Sequence, residues 1–528
     1  METPDTPEVA PISHNANLLL DALNVPETAT HQKKIVVNPL VSRFASWYEK
    51  ARNAMDYREE EVILRAAIER ILKRRIIFGG DGKKIAEPLI RELIWARYFP
   101  DESLSEIIID QVAKKIDLYL ALREGLLKNR ILKEGQATEW MYHLMSCDIQ
   151  YLLHSRKEKE LLSNYMYQVI RNNITITDDS EQNRDIQVFI AVRKAFAKDD
   201  IAFLRYHLFT QFFDSSVTEK TFSKIIEKFP ACYLEIQQQL SYSRKDRIYN
   251  YVKSKTGIFL ILQDILRTYN GTLTQLYADK EEFTKVVFDM CQNRYNQISK
   301  RTRTAVIRSV IFILLTKVFF AFAIEGTFES LVYGGVSWRS IFLNTGIPPL
   351  LMVIASFFLQ APKKDNSERI LKYIQMILSQ DSPKIGNPLI IKKHPDRRPL
   401  LNAIFTILWL LTYLLSFGLV IYILTKLHFN PISQGVFVFF LAIVSFLTYR
   451  IGLMTREYVV EGKQGAIMPV FDFFFLPIVR VGRQLTEGIS QINILLFIFD
   501  FIIETPFKGI FGFFEQWFFF LHAKREEL

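Results

Sequence analysis

Two apolar runs decide most of what this chain can fold into. "SVIFILLTKVFFAFAI" at 309–324 and "AIFTILWLLTYLLSFGLVIYIL" at 403–424 are apolar on every face, whereas a helix that hides one side in a soluble core alternates apolar and polar residues. A bilayer core about 30 Å thick takes roughly 20 such residues in a helix. Four segments meet that length: 305–325, 340–360, 400–425 and 432–451. Pro348 and Pro349 should kink the second, which a membrane tolerates where neighbours satisfy the freed carbonyls.

The hydrophobic fraction of 49% conceals a division. Residues 39–303 are rich in Glu, Lys, Arg and Gln, and their apolar residues recur at helical spacing. In "EEEVILRAAIERILKRR", Leu64, Ile68, Ile71 and Leu72 form one stripe. "SLSE" at 103–106, "SVTE" at 216–219 and "TLTQ" at 272–275 match capping boxes, and "TITDDSEQNRD" reads as a loop. The fold expected is therefore all-α: an N-terminal soluble helical domain followed by a multi-pass α-helical transmembrane region. Residues 1–38, acidic and rich in Pro and Thr with no basic residue before Lys33, read as a disordered tail without the basic start of a signal peptide.

Charge bias orients the spans, because cytoplasmic loops carry the excess of Lys and Arg. "SKRTR" precedes the first span, and the loop at 361–399 holds nine Lys and Arg against four Asp and Glu. The connections "GTFESLVYGGVSWR" and "KLHFNPISQ" carry one basic Arg or Lys each. This gives four spans within 304–454, with the N-terminus and C-terminus cytoplasmic in a cell membrane. Ile370, Ile374 and Ile377 suggest a surface-lying helix inside the basic loop. Residues 455–528, with Pro469, Pro477, Pro506 and an aromatic run, read as interfacial or re-entrant helices, or as a further hairpin. After "YNGT" no proline interrupts the chain until well beyond 320, so one helix should run from the cytosolic domain into the first span.

The motif that most invites chemistry is "FGGDGKK" at 78–84. Glycines let backbone N–H groups converge on a phosphate at a helix N-terminus. The P-loop spacing fails, since Ile77 and Lys84 stand where a glycine and a hydroxyl are needed. "GGDG" resembles the GGDGT element of NAD and lipid kinases, which implies a loop after a strand of a parallel sheet. Here the preceding segment is helical and the threonine is absent. Glycine past a helix end, with Lys73, Arg74 and Arg75 near the last carbonyls, is what a C-cap requires. The alternative is an anion or headgroup contact through Arg74, Arg75, Gly80, Lys83 and Lys84, joined at the membrane by Lys300, Arg301 and Arg303.

Two further features carry weight. His143, Cys147, Tyr151 and His154 share one helix face, but His143 and His154 lie roughly 16 Å apart along it, so no metal or other cofactor is expected. Lys317 falls inside the first span, where a lone charge costs about 2.5–3.5 kcal/mol. Asp472, Asp500 and Glu504 are its candidate partners.

Three functions remain open. The first is a non-enzymatic scaffold or protein-interaction module on a membrane anchor, its partners an unidentified protein and anionic inner-leaflet lipid. The second is a transporter or channel using Lys317 and a carboxylate, and the third an enzyme on a nucleotide or lipid headgroup at the glycine loop. The net charge of +10 sits largely beside the membrane, so nucleic acid is not an expected partner.

Overall fold

The computed structural model describes residues 11–24, 34–39, 42–43, 45–46, 48–50, 60–77, 79–335, 338–392, 399–460, 468–491, 513–514, 516–517 and 520–521. They are helical with one short strand pair, so the chain is all-α. It forms two compact units. One contains Ser13–Lys253 with Gln380–Ile391, and the other Ser254–Ser379 with Lys392–Leu495. The division falls at 253/254, where the sequence reading divides the chain at 303/304. The reason is packing: helices Thr256–Tyr269 and Lys364–Ser379 lie against the polar stem of the long helix Lys280–Phe320.

In the first unit helices pack both on their sequence neighbours and on more distant ones. Glu60–Ile77 and Ile107–Lys128 both lie on Glu134–Leu153, and the last of these on Ile201–Phe213. Their stripes make one core, with Ile68, Leu72, Leu93, Ile116, Trp140 and Phe209 fully buried. The helix starts use other residues than the expected capping boxes. Asp81, Ser180 and Asp200 accept from the third backbone N–H that follows each, while Glu106, Thr221 and Thr272 make no side-chain cap bond. Inside the segment expected as a disordered tail, His14–Leu23 forms a helix on Lys157–Arg171, because Leu19 and Leu20 find apolar cover there.

"TITDDSEQNRD" is less of a loop than expected, with helix from Glu181. Ile174–Ile176 pairs in parallel with Leu389–Ile391, Ile174 opposite Leu389. Asn173 fixes the approach, its Nδ2 donating to the carbonyl of Pro383 at 3.0 Å and its carbonyl accepting from Leu389 at 2.9 Å. Three residues are too few to show an alternating pattern in the sequence.

In the second unit, one helix does run from polar stem into apolar span. Lys280–Phe320 continues through a π-helical turn, Ala321–Gly326, into Thr327–Tyr333 and ends at Gly334 in the left-handed region. Among the described residues, three helices are long and apolar enough to cross a membrane: Lys280–Val332, Ala403–Lys426 and Pro431–Thr455. The fourth expected span is shorter, an apolar helix Ile341–Ser356 within Trp338–Ser356, and it passes through Pro348 and Pro349 as continuous helix. Phe342, Phe358 and Leu331 are each about 80% exposed, which suits lipid and not water. Met468–Gln491 also packs here, so close to Pro431–Thr455 that a Cβ on Gly482 would lie 2.0 Å from the Ala442 carbonyl oxygen.

Contacts give the helix directions. Asn344 meets Ser433, Met352 meets Thr448 and Leu359 meets Gly452, so Trp338–Ser356 and Pro431–Thr455 run the same way. Glu329 meets Asn430 and Lys317 meets Phe440, so the long helix runs the opposite way. At the far end Asn366 fastens the bundle. Its Nδ2 donates to Tyr295 Oη and the Tyr458 carbonyl, and its Oδ1 accepts from the Val460 N–H, each at 2.8 Å. The helix expected to lie on the membrane surface therefore packs on protein, with Ile370, Ile374 and Ile377 fully buried.

Candidate functional site

The glycine loop is a link between two helices. Gly79, at φ +76°, closes the first, its N–H donating to the Ile76 carbonyl, and Asp81 caps the second by accepting from the Lys84 N–H. Gly82 N–H donates to Asp117 Oδ1 at 2.7 Å. Carboxylates thus already occupy the amides that a phosphate would need. Arg74 and Arg75 both clasp the buried Glu92, while Lys83 and Lys84 are exposed. A Cβ added at Gly80, at φ +133°, would meet the Lys84 side chain.

The His143 face is packed interior. Cys147 is fully buried, His143 Nδ1 meets Arg205 at 2.9 Å, and Tyr151 donates to Glu160 at 2.6 Å. His154 is exposed, and no group of three metal-ligating side chains occurs among the described residues. Beside this face runs a buried polar network: Arg193 binds Glu160 and Asp199, and Arg156 binds Asp199 at 3.0 Å. His207 stands among them. Burial and the neighbouring Arg193 hold its imidazole below the ordinary value, against the pull of Asp199 and Glu160. Burial alone would raise the Glu69 carboxyl, yet Arg65 and Lys73 hold it at about 2.

Both depressed values have the same sign for stability. The unfolded chain binds more protons than the folded one, so stability is full above the unfolded values of about 6.5 and 4.5 and is lost as pH falls. Amide exchange in Ile201–Phe213, corrected for the intrinsic effect of pH, should quicken first below about pH 6.5 and again below about pH 4.5. His207→Gln should shrink the first step, and an unaltered profile in that variant would remove His207 from the account.

The first unit also holds an open cleft of about 800 Å³ between helices Lys157–Arg171, Glu181–Ala195, Ile201–Phe213 and Phe222–Leu240. Ile186, Phe189, Leu208, Phe212 and Ile236 give it apolar surface. Five carboxamides (Asn164, Gln168, Gln182, Gln211 and Gln239) line it together with Tyr167, Asp185 and Glu235. No motif marks it, because its residues come from four helices.

In the apolar bundle Lys317 has a partner that the sequence reading missed. Its Nζ lies 3.0 Å from Glu325 Oε1 and 4.9 Å from the centre of the Phe440 ring. The other oxygen of Glu325 accepts from Asn344 Nδ2 and, at 3.0 Å, from Ser433 Oγ. All four polar side chains are fully buried. Of the partners expected from sequence, Asp500 and Glu504 lie outside the described residues, as does the side chain of Asp472, whose backbone belongs to Met468–Gln491. Lys300, Arg301 and Arg303 are exposed on the stem of the same long helix.

The π turn explains the pair. In an α-helix eight residues rotate by about 800°, some 80° past two full turns, which would put Lys317 and Glu325 on different faces. The wider turn at Ala321–Gly326 absorbs the extra residue and returns Glu325 to the face of Lys317. Glu329 follows one turn later and accepts from Asn430 Nδ2 at 2.6 Å. Asn430 also caps Pro431–Thr455, so that helix presents its positive end to both carboxylates.

Comparison with protein families, curated proteins and solved structures gives no match.

Proposed function

We propose that the chain is a multi-pass membrane protein whose first unit is a cytosolic interaction module held at the inner leaflet. The cleft carries this reading. Carboxamides that both donate and accept, set around aromatic and aliphatic surface, suit recognition of a polypeptide segment, and the described chain leaves the cleft open. The matching directions of Trp338–Ser356 and Pro431–Thr455 support two inward spans separated by outward ones, and hence four crossings. The Lys and Arg excess in the 361–399 loop supports a cytoplasmic side for both termini. Lys300, Arg301 and Arg303 would then meet anionic headgroups at about 1 kcal/mol each.

A headgroup or nucleotide enzyme at the glycine loop is disfavoured by the carboxylates on its amides. A continuous transport path through Lys317 is disfavoured by the apolar packing of Ile313, Met352 and Val444 on the stem side of it.

Photocrosslinking in cells tests the module. Photoreactive residues at Gln182 and Gln211 should capture one and the same protein, and Phe189→Asp should abolish both captures. Equal capture from the exposed Lys83, far along the chain from the cleft helices, would sink the proposal.

A further inference from the structure

We infer that the segment taken up by the cleft of the first unit carries an arginine, whose guanidinium pairs with Glu235. The inference rests on the interaction module proposed above and names the chemistry of its partner.

Glu235 is the charge that the cleft leaves unmatched. It lies half-buried on helix Phe222–Leu240 and makes no hydrogen bond or ion pair among the described residues. Three and four positions away on that helix stand Ala231, Cys232, Gln238 and Gln239, none of them basic. Lys228 shares its face but is two turns back, about 10 Å along the axis, which is about a Debye length in moderate salt.

The other three helices bring no cation to the lining either. It contains Asp185 and Glu235 but no Lys, Arg or His, in a chain whose net charge is +10. Two arginines bind lining residues and are engaged there. Arg184 donates to Asp185 Oδ1 through Nε at 2.9 Å and Nη2 at 2.8 Å, and Arg171 lies against the Tyr167 hydroxyl. Asp185 is thereby matched, and Glu235 is left.

Filling the cleft would strip water from that carboxylate, and only a cation in the occupant offsets the loss. An anionic occupant, such as a phosphorylated segment or a lipid headgroup, would be repelled. Guanidinium suits the place better than an ammonium. It meets a carboxylate with two parallel N–H bonds, and its weakly hydrated plane packs on aromatic surface, which Tyr167, Phe189 and Phe212 provide. That the arginine belongs to a polypeptide follows from the carboxamides. Asn164, Gln168, Gln182 and Gln211 make no hydrogen bond among the described residues, and each offers a donor and an acceptor to peptide groups.

A random peptide library displayed on phage, selected against the full-length protein in nanodiscs of zwitterionic lipid, reads the preference directly. Peptides are kept only where Gln211→Trp, which fills an exposed position of the cleft, abolishes their binding. The expected set has arginine at one fixed position and binds Glu235→Gln about tenfold more weakly than the unaltered protein. Glu235→Arg with glutamate at that position of the peptide should restore binding, which a loss of fold in the variant could not do. A set without a fixed arginine, or one that Glu235→Gln binds equally well, overturns the inference and leaves the interaction module standing. Finding no peptide that depends on the cleft overturns both.

Discussion

Lys317→Ala should lower the stability of the apolar bundle by about 3–5 kcal/mol, since removing one partner leaves the buried Glu325 carboxylate without its cation. The variant is expected to unfold at a much lower temperature in detergent, to be poorly recovered from membranes, or both. Lys317→Met combined with Glu325→Gln should recover most of that loss. Methionine fills the volume of the lysine stem beside Phe440, and glutamine keeps an acceptor for Asn344 and Ser433. If the double variant is no more stable than Lys317→Ala, the charge pair is not what holds the helices together.

Gly82→Ala should be the most damaging single methyl in the first unit. A Cβ at Gly82 would lie 2.1 Å from the backbone oxygen of Ala113 and 2.8 Å from its carbonyl carbon. Backbone cannot move aside as a flexible side chain can, so Gly82–Trp95 would have to withdraw from Ile107–Lys128. That would open the core to which Ile85, Leu89, Val112 and Ile116 all belong. A loss of about 3 kcal/mol or more is expected. Gly80→Ala should cost less despite its φ of +133°, because only the flexible Lys84 side chain is near. Thermal unfolding of both variants checks the order. Equal losses would mean that conformational strain at these glycines, and not the helix contact, decides the effect.

Apolar length and helical period made much of this structure legible before any coordinates. The continuous passage of Lys280–Phe320 from polar stem into apolar span follows from the absence of proline, and the helix end at Gly79 from glycine and basic residues at the right offset. Glu325 was hidden by the same rule that helps elsewhere. At 3.6 residues per turn it belongs to another face than Lys317, and nothing in "TKVFFAFAIEG" announces the π turn that brings them together. Ile370, Ile374 and Ile377 show the opposite difficulty. A stripe of isoleucines has the same pattern whether it rests on lipid or on protein, and the deciding contact comes from Asn366, a polar residue that no apolar count includes. The strand pair and the cleft join segments far apart in sequence, and a single chain carries no signal for such meetings.

Cysteine accessibility in sealed membranes is the measurement that bears most directly on the account. Cys147, Cys232 and Cys291 are all buried, so single reporters can be added at exposed positions without a competing signal. Gly335→Cys and Leu427→Cys lie at one end of the apolar helices, and Asn387→Cys and Arg456→Cys follow the returns towards the stem. An impermeant reagent outside intact cells should label the first two and spare the second two, with the reverse in inverted vesicles. Labelling of Asn387→Cys and Arg456→Cys from outside would place the helical unit on the other side of the membrane and contradict a cytosolic interaction module.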